Sequence, residues 1–342
     1  MTASVRRLKD LCVVLSPRFE ALLDVLWRRR IPAYVPFYEL FVDRPIMATA
    51  LGKEVTSTVD TVAFYYRAGY DYVPVWPGVP IRTGSLVDTS RGYPITDRES
   101  FERFDWPGSD RITFTEFESV GAVLPAGMKI IGQTGGPFEM AESLCGYAGL
   151  CCLLADDRRL VHDLFERIGG LYEAIYSGMA KIPAVGSLVL SDDLGFKTQT
   201  LISPRDLRTF VFPLYRRLVR IIHDANKPCI LHSCGNLTAV MDELIDEVGI
   251  DAKHSYEDAI LPVQAAKRMY GSRIAILGGF DVDRLCRSTE REVREYTRGL
   301  VGDLGRTGGY ALGSGNSIAS YVPIEKYLAM LDEGWRRGED TA

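Results

Sequence analysis

Residues 228–235 read PCILHSCG, an apolar run that stops at a histidine, a cysteine and a glycine. Its apolar half is nearly continuous rather than alternating, the pattern of a strand covered on both faces. Seven other runs share the layout of β-rich residues ending in glycine or polar groups. They are 33–40 (AYVPFYEL), 70–76 (YDYVPVW), 128–135 (MKIIGQTG), 187–195 (SLVLSDDLG), 250–257 (IDAKHSYE), 273–281 (RIAILGGFD) and 309–317 (GYALGSGNS). Most are followed by a helix-like stretch. Ser203 and Pro204 supply a cap and a first-turn proline for a helix through His223, with Leu207, Phe210, Val211, Leu214 and Leu218 as its apolar stripe. Thr289 caps another, with Glu292 three residues on as in a capping box. Pro323 opens a last helix carrying Tyr327, Leu328 and Leu331. Strands alternating with helices predict a parallel sheet, and eight such units predict an α/β fold of the closed (β/α)8 TIM-barrel class.

Two stretches lie outside this period. Residues 17–30 contain Phe19, Leu22, Leu23 and Leu26, spaced for a helix that covers the barrel. Residues 77–127 form an excursion rich in Gly, Pro, Asp and Arg, longer than a plain connector. With no linker, longer repeat or low-complexity tract, residues 1–342 are expected to form a single domain. Hydrophobic residues make up 46% of the chain, enough for a sizeable core, and 40 basic against 45 acidic residues give a net charge of −5. That balance excludes a broad basic surface and a dedicated nucleic-acid binder. No apolar run reaches the roughly 18 residues of a membrane span. The apolar stretch 11–15 behind Arg6, Arg7 and Lys9 is too short for a signal peptide. Seven cysteines without small-domain spacing fit a reducing cytoplasm. The expectation is a cytoplasmic protein with no membrane or nucleic-acid partner, free to oligomerise.

In (β/α)8 barrels the chemistry collects at the carboxyl ends of the strands. There the sequence places Glu39, Gln133, Asp192, Asp193, His232, Cys234, His254, Glu257, Asp281, Ser314 and Asn316. Residues i and i+2 of a strand share a face, so His232 and Cys234 are a candidate ligand pair for one ion, zinc by its donor set. The alternative is a pair of packed core side chains. Cys145, Cys151, Cys152, Cys229 and Cys286 read as packing, and Arg28-Arg29-Arg30 as a solvated helix end.

The stretches 232–236 (HSCGN), 251–255 (DAKHS), 277–281 (LGGFD) and 313–316 (GSGN), together with 70–73 (YDYV) and 192–196 (DDLGF), resemble the uroporphyrinogen decarboxylase superfamily. More narrowly they resemble its cobamide-dependent methyltransferase branch, which includes methylcobalamin:coenzyme M methyltransferases and O-demethylating relatives. The resemblance implies a (β/α)8 barrel and a zinc ion held by a His-x-Cys pair and a last-strand cysteine. It also implies a methylated corrinoid (methylcobalamin type) as co-substrate, carried by a corrinoid protein. His232 and Cys234 match the pair, but Ser314 stands in the turn where the third ligand, a second thiolate, is expected. A serine hydroxyl is a poor neutral ligand, so Glu257 or Asp193 becomes the candidate third ligand, and a metal-free pocket stays open. Asp193, Glu257 and His254 are the candidate proton handlers. Glu39, Gln133, Ser314, Asn316 and Asp281 are the candidate substrate-binding residues.

The decarboxylase branch of the superfamily binds a tetrapyrrole with eight carboxylates through an arginine-bearing first strand. Here residues 33–43 offer Glu39 and Asp43 and no arginine before Arg44. An acidic mouth repels a polyanion unless Arg82, Arg91, Arg98, Lys197 or Lys253 compensates. The favoured reading is an enzyme, a corrinoid-dependent methyltransferase acting between a corrinoid protein and a small, methoxylated substrate with Lewis-acid help at His232 and Cys234. A decarboxylase comes second, and a metal-free ligand-binding relative without turnover third.

Overall fold

Seven of the eight apolar runs are strands in the computed structural model, which describes Leu8, residues 16–79 and residues 92–339. They are β1 (Tyr72–Val75), β2 (Lys129–Thr134), β3 (Val185–Ser191), β4 (Cys229–His232), β5 (Ala252–His254), β6 (Ala275–Leu277) and β7 (Tyr310–Ala311). Their order in the sheet is their order in the chain. Pairing is parallel, with Ser191 opposite His232, Ala252 opposite Ala275, and Leu277 opposite Ala311. Every residue of β1, β4, β5 and β6 is buried, as near-continuous apolar runs require.

The remaining run, 33–40, is reduced to one parallel pairing of Phe37 with Leu312. Leu312 N–H donates to the Pro36 carbonyl, and Tyr38 N–H donates to the Leu312 carbonyl, both at 2.8 Å. Pro36 has no N–H to extend the ladder, which is why this run stays short of a regular strand. It still joins the first run to the last, the connection a closed barrel needs. The fold is α/β, of the (β/α)8 TIM-barrel class found in the uroporphyrinogen decarboxylase superfamily.

Helix signals in the sequence act where they stand. Ser203 accepts the Asp206 N–H, and Thr289 and Glu292 form a capping box at the head of the Glu290–Leu304 helix. The helix expected to run from Pro204 to His223 is interrupted by a π-helical turn, Leu207–Val211, before it resumes as Phe212–Asp224. Pro213 near the start of that second segment cannot donate to the carbonyl four residues back, and the wider turn absorbs the missing bond. Phe19–Leu26 is helical, with Phe19, Leu22 and Leu26 buried. The described part of the 77–127 excursion holds the helices Arg98–Arg103 and Thr115–Gly121. Arg82, Arg91, Arg6, Arg7, Lys9 and the 11–15 stretch lie outside the described residues. Among the described residues no single helix is long and apolar enough to cross a membrane.

The chain divides into two compact units. The first comprises Met1–Pro74, Glu118–Ile131 and Asp251–Ala342, and the second Val75–Phe117 and Gly132–Ile250. In the first, an aromatic cluster fills the core: Phe37 meets Trp335 edge-on at 5.5 Å between ring centroids, and the Tyr70 and Tyr327 hydroxyls lie 2.8 Å apart. In the second, the long Arg158–Ala180 helix buries Leu160, Leu164, Ile168, Tyr172 and Tyr176. The Tyr176 hydroxyl donates to the Val189 carbonyl of β3 at 2.8 Å, so a core tyrosine also satisfies its polar end.

Candidate metal centre

The register of β3 and β4 builds the site. Ser191 stands opposite His232, so two residues further on Asp193 and Cys234 leave the strand ends side by side. Asp192 N–H donates to the His232 carbonyl at 2.9 Å, and Cys234 N–H donates to Asp193 Oδ1 at 2.8 Å. Cys234 Sγ lies 3.8 Å from His232 Nε2. One ligand atom from each of Asp193, His232 and Cys234 falls within 4.8 Å of the others. An ion with bonds of about 2.0–2.3 Å bridges such a triangle, and an imidazole, thiolate and carboxylate set fits zinc. His232 is buried while Asp193 and Cys234 are half-buried, leaving an approach for a further ligand.

The two loops carrying these groups are held together beyond the strands. Leu194 N–H donates to Ser233 Oγ at 3.0 Å, and Asn236 N–H donates to the Phe196 carbonyl at 2.7 Å. Gly235 has φ +81°, and a Cβ there would lie 2.1 Å from the Gly195 carbonyl carbon. Only glycine permits both the left-handed turn and this backbone approach.

Asp192, the chain neighbour of Asp193, does different work. Its buried carboxylate accepts the Phe138 and Glu139 N–H groups, each at 2.8 Å, and the Tyr215 hydroxyl at 2.6 Å. It therefore closes the N-terminus of the Pro137–Cys145 helix, where free N–H groups and the helix dipole favour a carboxylate. That helix contributes two acids that sequence reasoning missed. Burial pushes Glu139 up to about 7, and the charge of Asp193 adds to the effect. Glu142 also reaches about 7 through burial, with Glu139 and Asp193 adding to it. Acids poised near neutrality suit proton transfer beside the cluster. Their only sequence signal was an i, i+3 pair of carboxylates on a helix opening directly after β2. Gln133 is buried at the end of that strand.

The other expected site residues lie in the first unit. Glu39 is fully buried, with Oε1 accepting Ser314 N–H at 2.6 Å and Oε2 accepting the Ser314 hydroxyl at 2.5 Å. Burial pushes its carboxyl up to about 8, against the pull of the two Ser314 hydrogen bonds. Ser314 Oγ also accepts the Asn316 N–H at 3.3 Å. The hydroxyl in the expected third-ligand position is thus committed to a core carboxyl.

His254 is buried with Nε2 3.2 Å from the Ser314 carbonyl, and burial draws its pKa down to about 3, with the Lys253 charge acting in the same direction. A ring that stays neutral, with its N–H engaged, does not suit the general-acid work expected of it. Lys253 is buried as well, donating to the His254 and Ser255 carbonyls at 3.1 and 2.7 Å. Asp281 caps the Val282–Arg287 helix through Arg284 N–H at 3.0 Å and also accepts Asp258 N–H at 2.8 Å. Glu257 is half-buried in this unit, whereas the carboxylate the structure brings to His232 and Cys234 is Asp193. Of the cations expected to offset an acidic mouth, Arg98 is paired with Asp163 at 2.6 Å.

Residues 92–334 match the family model for uroporphyrinogen decarboxylase (URO-D). A uroporphyrinogen decarboxylase of Thioalkalivibrio sulfidiphilus is 28% identical over 220 residues, covering 61% of this chain and 60% of that protein. A methylated-thiol–coenzyme M methyltransferase of Methanosarcina mazei is 26% identical over 203 residues, covering 59% of this chain and 52% of that protein. The chain thus spans a little over half the length of these curated relatives. Among solved structures, a methyltransferase from Methanosarcina mazei superposes with a TM-score of 0.68 at 15% identity, over 94% of this chain and 97% of that one, and supports the fold.

Proposed function

We propose, for a chain that belongs to the uroporphyrinogen decarboxylase family, a corrinoid-dependent methyl transfer centred on Asp193, His232 and Cys234. The family's relatives include methyltransferases, which supports a methyltransferase kind of function. The observation that carries the finer reading is the three-residue cluster, whose mixed N, S and O donors suit zinc. Zinc bound there supplies Lewis acidity toward a thiol or an ether oxygen. The methyl is exchanged with a corrinoid held by a partner protein, whose cobalt carries the difficult chemistry.

This chain's own residues then have distinct tasks. His232 and Cys234 hold the ion from one strand end, and Asp193 is aimed at it by the Cys234 N–H. Glu139 and Glu142, raised toward neutrality, supply the proton that a departing alkoxide or phenolate takes up, or accept the proton that an incoming thiol gives up. Ser314, bonded to Glu39, leaves the last-strand position without a thiolate. That departure favours an O-demethylating enzyme on a methoxylated small molecule over a coenzyme M methyltransferase. A decarboxylase reading has the 28% identical relative behind it, but Glu139, Glu142 and Asp193 near one another disfavour a substrate bearing many carboxylates.

Metal analysis of protein purified without added zinc tests the centre, alongside Asp193→Ala, His232→Ala and Cys234→Ala. One zinc per chain in the wild type, lost in each variant, is the expected result, and a zinc-free wild type overturns the metal-centred reading. Methyl transfer is read from visible spectra of Co(I) cobalamin mixed with a panel of methoxylated phenols. Methylcobalamin should form with the wild type and not with Cys234→Ala. The absence of any spectral change across the panel, with zinc bound, counts against the methoxylated substrate.

A further inference from the structure

The three arginines at the end of the Phe19–Leu26 helix part company in the structure. Arg30 Nε reaches Asp24 Oδ1 at 3.3 Å, and the Arg29 guanidinium lies 5.4 Å over the Trp27 ring. Arg28 takes neither course. Its backbone is left-handed at φ 51°, uncommon for a residue with a side chain. Its stem passes over Gly309, where a Cβ would stand 3.2 Å from Arg28 Cγ. Arg28 then lines an open surface pocket of about 620 Å³ in the first unit, with half-buried Lys267 and exposed Arg268, Ser272, Asp303 and Thr307.

Glycine makes room for the cationic wall. A Cβ at Gly271 would lie 2.6 Å from Lys267 Cδ. Lys267 Nζ donates to the carbonyls of Gly308 and Gly309, the latter at 3.2 Å, and so is held in place by groups with no formal charge. Burial, followed by the Arg28 charge, draws the Lys267 pKa down to about 8, which marks a wall short of negative charge. Among the described residues no side chain pairs with Arg28 or Arg268. Three cations against the single carboxylate of Asp303 give the pocket a formal charge of about +2 in a chain of net −5.

We propose that this pocket binds a small phosphate-bearing anion, with Arg28, Lys267 and Arg268 as its cationic wall and Ser272 and Thr307 as neutral donors. A phosphate monoester carries about −1.5 to −2 at neutral pH and so matches the formal charge. The volume lies in the range of small-molecule sites, which leaves space for an organic group beside the phosphate. Ser272 precedes β6 and Thr307 precedes β7, so the pocket sits at the amino ends of these strands. Barrel chemistry is built at the opposite ends. The site shares no residue with the candidate metal centre.

Isothermal titration with inorganic phosphate and with glycerol 3-phosphate, at constant ionic strength, tests the site on the full chain. Saturable binding is expected, with Kd raised about tenfold or more in Arg28→Ala/Arg268→Ala and unchanged in Arg29→Ala/Arg30→Ala. Circular dichroism checks that the variants fold, and Arg28→Gln/Arg268→Gln replaces the alanine pair if it does not. Tighter binding of the monoester identifies an organic phosphate as the ligand, and equal binding identifies phosphate itself. The proposal is overturned if neither probe saturates by about 10 mM. Equal loss in both double variants overturns it too.

Discussion

Glu39 is a carboxyl in the core whose proton ties stability to pH. In the unfolded chain it ionises near 4.5, and in the fold burial raises it to about 8. Its contribution is therefore fully present below pH 4.5 and is lost as pH rises toward 8, because only the unfolded chain releases the proton in that interval. At about 1.4 kcal/mol per pH unit, complete loss amounts to roughly 5 kcal/mol. For a chain of this size that corresponds to about 7 °C in Tm. Glu39→Gln removes the titration but keeps the shape, since the amide oxygen accepts the Ser314 N–H and the amide nitrogen faces the Ser314 hydroxyl. Thermal melts by circular dichroism from pH 5 to 8 give the comparison. Wild-type Tm should fall with rising pH by several degrees more than that of Glu39→Gln. Parallel curves for the two proteins would refute the reasoning, because the raised carboxyl would then be contributing nothing.

Other consequences are open to measurement. His254 stays neutral down to about pH 3 in the fold, whereas the unfolded chain gains a proton below 6.5, so stability falls as pH drops through that window. His254→Gln should flatten this acid limb, and an unchanged acid limb in melts from pH 6.5 to 4 would argue against it. Gly235→Ala forces a Cβ onto the Gly195 backbone at φ +81° and is expected to lower stability by about 2–4 kcal/mol and to abolish zinc retention. Gly149→Ala, in the Tyr147–Asp156 helix with open space around its Cβ, should instead stabilise by about 0.5–1 kcal/mol in the same denaturation assay. Asp193→Asn keeps an acceptor for the Cys234 N–H but weakens the ligand. Zinc affinity by chelator competition should drop at least tenfold while the metal-free Tm stays within about 1 °C.

The strands were legible because burial on both faces leaves long apolar runs, and burial of this kind leaves little else in the sequence. The 33–40 run has the same look, but Pro36 removes a donor and leaves one pairing at Phe37. The His232–Cys234 pair was legible from the strand period alone. Asp193 could be named as a candidate but not assigned to the pair, because its place depends on the register of Ser191 against His232. No local pattern encodes the alignment of two strands paired at an offset of 41 residues along the chain. Glu257 looked equivalent for the same reason. Glu139 and Glu142 were invisible because burial of an acid follows from packing, not from the residue itself.

Ser314 and Glu39 also bear on how the site could be rebuilt. Changing Ser314 to cysteine alone would place a thiol at a fully buried position, where burial opposes loss of its proton. Changing Glu39 alone would take the acceptor from a buried backbone N–H and a buried hydroxyl. Each single step toward a cysteine ligand on the last strand is penalised by the partner it leaves unmatched. The two positions are therefore coupled energetically. Grafting a cysteine ligand onto the end of this barrel's last strand is therefore a two-site design problem, in which 39 and 314 are changed together.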